Sequence, residues 1–385
     1  MDALPDAIPE PLNAYSQLLD PAFSRPVQRD NLRTYLRGLL LGTERHKTTT
    51  GLAHTKPGKA GSKHKAAQRL QWFLTESSWD PDDLHQARLT VMRELPETKP
   101  DSAAVLVVDE TGDRKYGKHT AHVGRQYLGS LGKVDSGVVS VHVLYARERA
   151  YFPLLLAPYT PASHFPRKAS DPAFRTKPQL ALELIEAVRE DWPFRAVVAD
   201  NLYGRNDEFK HHLIVNHIPF VMTLPASYTW WHRIGEVGSV EELAWRAPPE
   251  AWQPLIRTFA DGHQEVRWVA EVDGGPFGRN TTLRLVIVTN DPVTLPEKTT
   301  EYLISNLRWS EDDAEKWHAK TAPASSEEIA LLYARRVVIE QAYREVKQHL
   351  GWAQYQVRSD VAMRRHWALV CGVLLSVVVR GAAAR

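Results

Sequence analysis

Three sets of side chains in this 385-residue chain have the types and spacing for phosphate chemistry. Asp109 closes the apolar run Val105 to Val108, and Asp200 closes the run Phe194 to Ala199. Tyr333, Arg336, Glu340 and Lys347 recur at helical spacing, and at about 100° per residue they fall within an arc of roughly 60°. Short apolar runs ending in an acid read as buried strands, and strand ends are where α/β sheets build sites. Two strand-end aspartates and a helix-borne glutamate form a set of hard oxygen donors suited to Mg²⁺. Two such ions roughly 4 Å apart can activate a water or hydroxyl and stabilise the leaving oxygen of a phosphodiester. Each set also has a plainer reading. Asp109 before Glu-Thr-Gly and Asp200 before Asn can form turns. Arg336 with Glu340, or Glu340 with Arg344, are i,i+4 pairs that decorate solvated helices and add only about a few tenths of a kcal/mol.

The elements that must position these residues follow from periodicity. Leu332, Ile339, Val346 and Leu350 form an apolar stripe beside the polar one, so a single helix from Ser325 onward is expected, with Ser325 or Ser326 as its N-cap. Val105 to Asp109, Gly137 to Ala146 and Ala150 to Tyr159 read as a three-stranded antiparallel meander. Lys177 to Trp192 reads as a helix, Phe194 to Asp200 as a strand, Phe209 to Asn216 as a helix and Ile218 to Leu224 as a strand. The order β-β-β-α-β-α-β is that of an α/β, RNase H-like fold, a mixed sheet with helices on its faces. Four regions are expected: an N-terminal helical, DNA-binding domain over 1–100, the first part of the catalytic core over 101–224, a β-rich insertion over 225–317, and C-terminal core helices over 318–385. Within the first, Asn31 to Leu41, Ala66 to Leu74 and a start at Pro81 are helical, and Thr48 to Lys65 is a loop. The insertion has strand-like runs at Glu265 to Val272 and Thr282 to Val288, with a Gly-Gly-Pro turn at 274–276.

Composition narrows the function. With 43% hydrophobic and 24% charged residues the chain is an ordinary globular one. A net charge of +2 is not that of a dedicated nucleic-acid-binding domain, but the charge is unevenly placed. Arg45 to Arg69 holds Arg45, Lys47, Lys56, Lys59, Lys63, Lys65 and Arg69 with no acid; Arg114 to Lys133 holds Arg114, Lys115, Lys118, Arg125 and Lys133 with none. Two such stretches suit a polyanion in a groove. The single cysteine, Cys371, lies in an apolar run and reads as a buried hydrophobe. That run, Ala368 to Val379, is too short to cross a bilayer, and the N-terminus carries no secretion signal, so a cytoplasmic, non-membrane protein is expected.

The spacing Tyr333, Arg336, Glu340, Lys347 resembles the YREK signature of DDE cut-and-paste transposases of bacterial insertion sequences. Val107 to Lys118 with Gly124 to Val134 is similar to the first-aspartate region of one branch of that family, and Val197 to Gly204 to its second-aspartate motif. The resemblance implies a transposase that cleaves at element ends and joins them to target DNA. It implies Asp109, Asp200 and Glu340 as catalytic and metal-holding residues for two Mg²⁺ ions, with Mn²⁺ as a substitute. Tyr333, Arg336 and Lys347 would hold phosphates, joined by the basic residues Lys115, Lys118 and Arg125. The resemblance also implies double-stranded DNA as the partner, bound by a homodimer. Relatives also stack an aromatic residue of the insertion on a flipped base, and Trp230 and Trp231 are candidates. A metal-dependent nuclease without strand transfer, or an inactive transposase-derived DNA-binding regulator, are the alternatives. Of the competing carboxylates, Glu110 points to the opposite strand face from Asp109 and Glu345 to the opposite side of the helix.

Overall fold

The structure, a computed structural model, describes residues 10–40, 46–53, 64–147, 150–231, 237–258, 262–272, 275, 283–310 and 320–383. The elements in chain order are α1 (Glu10–Leu18), α2 (Pro26–Leu40), α3 (Thr49–Leu52), α4 (His64–Thr75), α5 (Pro81–Glu94), β1 (Val105–Arg114), β2 (Gly124–Leu128), β3 (Lys133–Ala146), β4 (Tyr151–Tyr159), α6 (Lys177–Val188), β5 (Ala196–Ala199), α7 (Asn201–Gly204), α8 (Asp207–Val215) and β6 (Phe220–Leu224). Then come β7 (Thr229–Trp231), β8 (Val237–Ser239), α9 (Val240–Trp245), β9 (Gln253–Thr258), β10 (Gln264–Val272), β11 (Arg284–Thr289), β12 (Glu301–Ser305), α10 (Ser326–Ala334), α11 (Val337–Gln348) and α12 (Asp360–Ala383). Of the expected loop at 48–65, Thr49–Leu52 form α3 and residues 64 and 65 open α4, while 54–63 lie outside the described residues, as do the basic residues Arg45, Lys56, Lys59 and Lys63 and the turn at 274–276 apart from Gly275.

The chain forms two compact units, the first of Met1–Asp101, Glu110–Leu180 and Val338–Arg385, the second of Ser102–Asp109 and Ala181–Val337. In the first unit β3 pairs antiparallel with β2 along its first residues and with β4 along the rest. Helix α12 packs on α2, α4, α5 and β4. Its apolar run is buried from Ala368 to Leu375, Cys371 included, as the sequence implies. Arg365 on α12 donates to the carbonyls of Leu74, Ser77 and Trp79 and lies over the Trp79 ring, so a charge enters this core with its hydrogen bonds satisfied. Among the described residues no helix is long and apolar enough to cross a membrane.

In the second unit β5 pairs parallel with the first half of β1 and with β6. Beyond β6 the pairing turns antiparallel, through β12, β11, β10 and β9. The β-rich segment after residue 225 therefore adds β9 to β12 to the same sheet as β5 and β6, while β7 and β8 pair with each other in a separate two-stranded sheet. Helix α10 packs across β5, β6, β10, β11 and β12. This mixed sheet flanked by helices is the RNase H-like architecture expected.

Three details depart from the sequence reading. Strand β1 does not stop at Asp109 but runs on through Glu-Thr-Gly-Asp to Arg114. What ends beside Asp109 is its pairing with β5. Gly112 allows the continuation, since a Cβ there would lie 2.7 Å from Leu128 Cδ2 and 3.0 Å from Val139 Cγ2. Strand β2 was not expected, and it pairs with β3 residues upstream of the expected strand start at Gly137. Most consequentially, the single helix expected to carry the Tyr333 to Lys347 stripe is two. Helix α10 ends at Ala334 with Arg335 and Arg336 donating to carbonyls three residues back, at 3.2 and 2.8 Å, the tight closure of a last turn. The β-branched run Val337-Val338-Ile339 that follows has weak helix propensity, which favours a break there.

Candidate active site

The register of β1 and β5 brings the two aspartates together. Val105 to Val108 pair in parallel with Ala196 to Ala199, so the next residues, Asp109 and Asp200, leave adjacent strands at the same level. Neighbouring strands lie about 5 Å apart, which sets the backbone separation of the two acids. Asp109 is only 8% exposed. Its Oδ2 accepts from Arg336 Nη2 at 2.7 Å. Asp200 is the N-cap of α7, its Oδ1 accepting from Leu202 N at 2.9 Å. The turn reading of Asp200 is borne out, since one oxygen caps α7, and the residue stays beside Asp109. Gly204, at the end of α7, lets that helix press onto β6, because a Cβ there would sit 2.0 Å from the Thr223 carbonyl oxygen.

Helix α10 delivers Tyr333 to the same unit. Its hydroxyl is 3.3 Å from Thr223 Oγ1 on β6, and burial pushes its pKa up to about 12 against the opposing pull of Arg336. At neutral pH it is a neutral hydrogen-bonding phenol. Asp200 and Glu301 both act electrostatically on this phenol, so Glu301, at the start of β12, stands in the same neighbourhood. Burial raises the carboxyl pKa of Glu301, while Arg267, Arg336 and Arg257 oppose it. Thr223 and Glu301 had no signature in the sequence, since both arrive through the β6–β12 pairing.

The second unit therefore gathers Asp109, Asp200, Tyr333 and Arg336. Glu340 and Lys347 belong to the first unit, on α11. Glu340 is solvent-exposed in the first turn of that helix. Lys347 Nζ pairs with Asp113 Oδ1 at 2.9 Å and donates to the Gly112 carbonyl at 3.1 Å, bracing the second half of β1. The two competing acids are engaged elsewhere: Glu110 pairs with Lys177 at 2.9 Å and Glu345 accepts from the Tyr151 hydroxyl at 2.9 Å. Asp109 and Asp200 supply the hard oxygens a divalent cation takes. Among the described residues no three carboxylate, imidazole or thiol groups form a set that could hold a metal ion.

Of the three basic candidates, Lys118 and Arg125 are exposed, whereas Lys115 turns inward. Its ammonium donates to the Ala353 and Tyr355 carbonyls at 2.9 and 3.3 Å and lies 3.4 Å from the centre of the Tyr355 ring. Burial lowers its pKa from 10.5 to about 8, with Asp113 opposing. Between those values the unfolded chain holds a proton that the folded chain has released, so this residue makes stability rise with pH across that window. In urea unfolding from pH 7.5 to 10.5, the wild type should gain stability relative to Lys115→Met; parallel curves would show that the ammonium titrates normally. Of the two tryptophans weighed for base stacking, Trp230 is fully buried and Trp231 is exposed.

An RNase H-like sheet whose adjacent parallel strands each deliver an aspartate defines a class of phosphodiester-cutting enzymes. The chain belongs to the DDE superfamily of endonucleases, whose family model matches residues 18–282. The matched stretch contains Asp109 and Asp200 and ends before Glu340. The chain is also 31% identical over 303 residues, covering 75% of itself and 68% of the relative, to a protein of Microchaete diplosiphon described as "Probable transposase for insertion sequence element IS701".

Proposed function

We propose that the protein is a DNA transposase that cleaves at the ends of an insertion sequence and joins the freed 3′-hydroxyls to target DNA. The carrying observation is the side-by-side placement of Asp109 and Asp200 in a DDE endonuclease, and the likeness to the insertion-sequence relative supports it. Asp109, Asp200 and Glu340 would hold two Mg²⁺ ions, or Mn²⁺ in their place. Bound there, the ions would supply nucleophile activation and charge neutralisation at the leaving oxygen. Arg336, paired with Asp109, would place a positive charge beside the two aspartates to meet a phosphate. The neutral Tyr333 hydroxyl can donate a hydrogen bond to a phosphate oxygen. Lys347 stabilises the backbone next to Asp109 through Asp113 and Gly112, and carries its charge to the same strand. Lys118 and Arg125 offer exposed charge to the phosphate backbone, and Lys115 ties the start of the segment carrying Lys118 to the Ala353 and Tyr355 carbonyls. Of Trp230 and Trp231, Trp231 is the one exposed to stack on a base. A homodimer would serve two paired ends.

The test is to incubate the protein with Mg²⁺, a target plasmid and linear DNA carrying the sequences that flank its coding region. Cleaved and joined products from this DNA, but not from a scrambled control, are expected. Cutting without preference for the ends and without joining would mark a nuclease, and binding without cutting a regulator; either result rejects the proposal.

A further inference from the structure

The hairpin formed by β2 and the first residues of β3 carries an unusual surface for a soluble chain. Arg125 pairs across the strands with Ser136, and Tyr127 with Val134, so these four side chains share one face. Tyr127 is 58% exposed, Val134 52%, and Leu131 in the connecting turn 41%. The turn is flanked by Gly129 and Gly132, and a Cβ at either would meet nothing within 4 Å, so the tip stands in open space. Gly132 has φ +62°, a conformation suited to glycine. Near the hairpin Tyr116 is 84% exposed, with the Arg114 guanidinium 4.8 Å from its ring centre. The segment Arg114 to Lys133 has five cations and no acid. The flanking acids are already neutralised, Asp113 by Lys347 and Asp135 by Arg114 at 3.3 Å.

Contiguous exposed apolar and aromatic surface marks an interaction site, and the surrounding charge selects the partner. A surface that exposes Arg125, Lys118 and Lys133 with no free carboxylate is matched by a polyanion. A two-stranded β-ribbon fits the DNA major groove. We propose that the β2–β3 hairpin is a DNA-docking ribbon: Arg125 and Lys133 contact phosphates on either side of a duplex groove, while Tyr127 and Leu131 press against sugars and base edges inside it. This rests on the reading of the protein as an enzyme acting on DNA and assigns one of its contact surfaces. Phosphate contacts would set the affinity and the apolar tip the depth of insertion.

Binding to a fluorescent duplex of about 30 base pairs, followed by anisotropy between 50 and 200 mM salt, tests the assignment. Arg125→Gln combined with Lys133→Gln should lower the slope of log K against log salt by about 2, since each phosphate contact contributes about 0.9. Tyr127→Ser should weaken binding about tenfold and leave the slope unchanged. All three positions are exposed, so the variants should melt like the wild type, and a melting comparison verifies that their folds are intact. If the wild type binds the duplex and both variants bind identically, the hairpin assignment fails and the transposase reading stands. If the variants instead alter the oligomeric state in sedimentation with DNA binding unchanged, the surface joins copies of the chain and the assignment also fails. A wild type that binds no duplex overturns both.

Discussion

Asp109→Asn and Asp200→Asn should each reduce strand cleavage by at least about 10³-fold while leaving the fold intact. Losing a carboxylate that organises transition-state charge removes several kcal/mol of stabilisation, and every 1.36 kcal/mol is tenfold. Asparagine is the informative replacement because each aspartate also has a structural task. Asp109 accepts a hydrogen bond from Arg336 at 2.7 Å, and an amide oxygen can accept the same bond. Asp200 caps α7, where asparagine caps about as well as aspartate. Activity should therefore fall without a matching loss of thermal stability. Glu340→Gln should fall as far if Glu340 completes the set, and a variant within tenfold of wild type would remove Glu340 from the proposed triad. Cleavage in both aspartate variants at wild-type rates would place the chemistry elsewhere.

The second large effect is on stability. Glu271 on β10 accepts from Arg284 Nε at 2.8 Å, Arg284 Nη2 at 2.7 Å, Ser326 Oγ at 2.6 Å and Trp309 Nε1 at 2.6 Å. Arg284 is almost fully buried, donates also to the Arg308 and Ala324 carbonyls, and has the Trp309 ring over its guanidinium at 5.2 Å. Removing one partner of such a pair leaves a buried charge uncompensated, at a cost of about 3–5 kcal/mol. Arg284→Leu should lower the urea midpoint accordingly. Arg284→Leu combined with Glu271→Leu should recover part of the loss, because the two sites are coupled. Equal midpoints for wild type and Arg284→Leu would show the network to be energetically idle. Ser326 opens α10, so the same network anchors the helix that carries Tyr333.

Much of the fold could be read from periodicity, and the failures have identifiable causes. The second half of β1 was hidden because Glu-Thr-Gly-Asp has the composition of a turn, although its glycine serves close packing between strands. The break between α10 and α11 was hidden because Leu332, Ile339 and Val346 keep a seven-residue spacing through it, with Leu350 one helical turn further on, and all four are buried. Apolar periodicity records which residues face a core; it does not record whether the backbone between them stays helical. Only the run Val337-Val338-Ile339 signalled weakness. For the site, the apolar runs ending at Asp109 and Asp200 were enough to mark the two acids, and parallel pairing put them side by side. The pairing of Arg336 with Asp109 was not legible, because it joins residues 227 positions apart. Thr223 and Glu301 were illegible for a similar reason, their placement depending on a strand pairing that begins far downstream.

That pairing bears on how the protein could be rebuilt. Because β12 hydrogen-bonds directly to β6, the segment from 225 to 317 is not a detachable cassette hung on a finished enzyme. Excising it would strip β6 of a neighbour and leave the strand holding Thr223 as a raw edge, open to pairing with other chains. An engineered miniature of this protein would have to keep β12 as a permanent selvedge, and size reduction would have to begin at the far border, with β9.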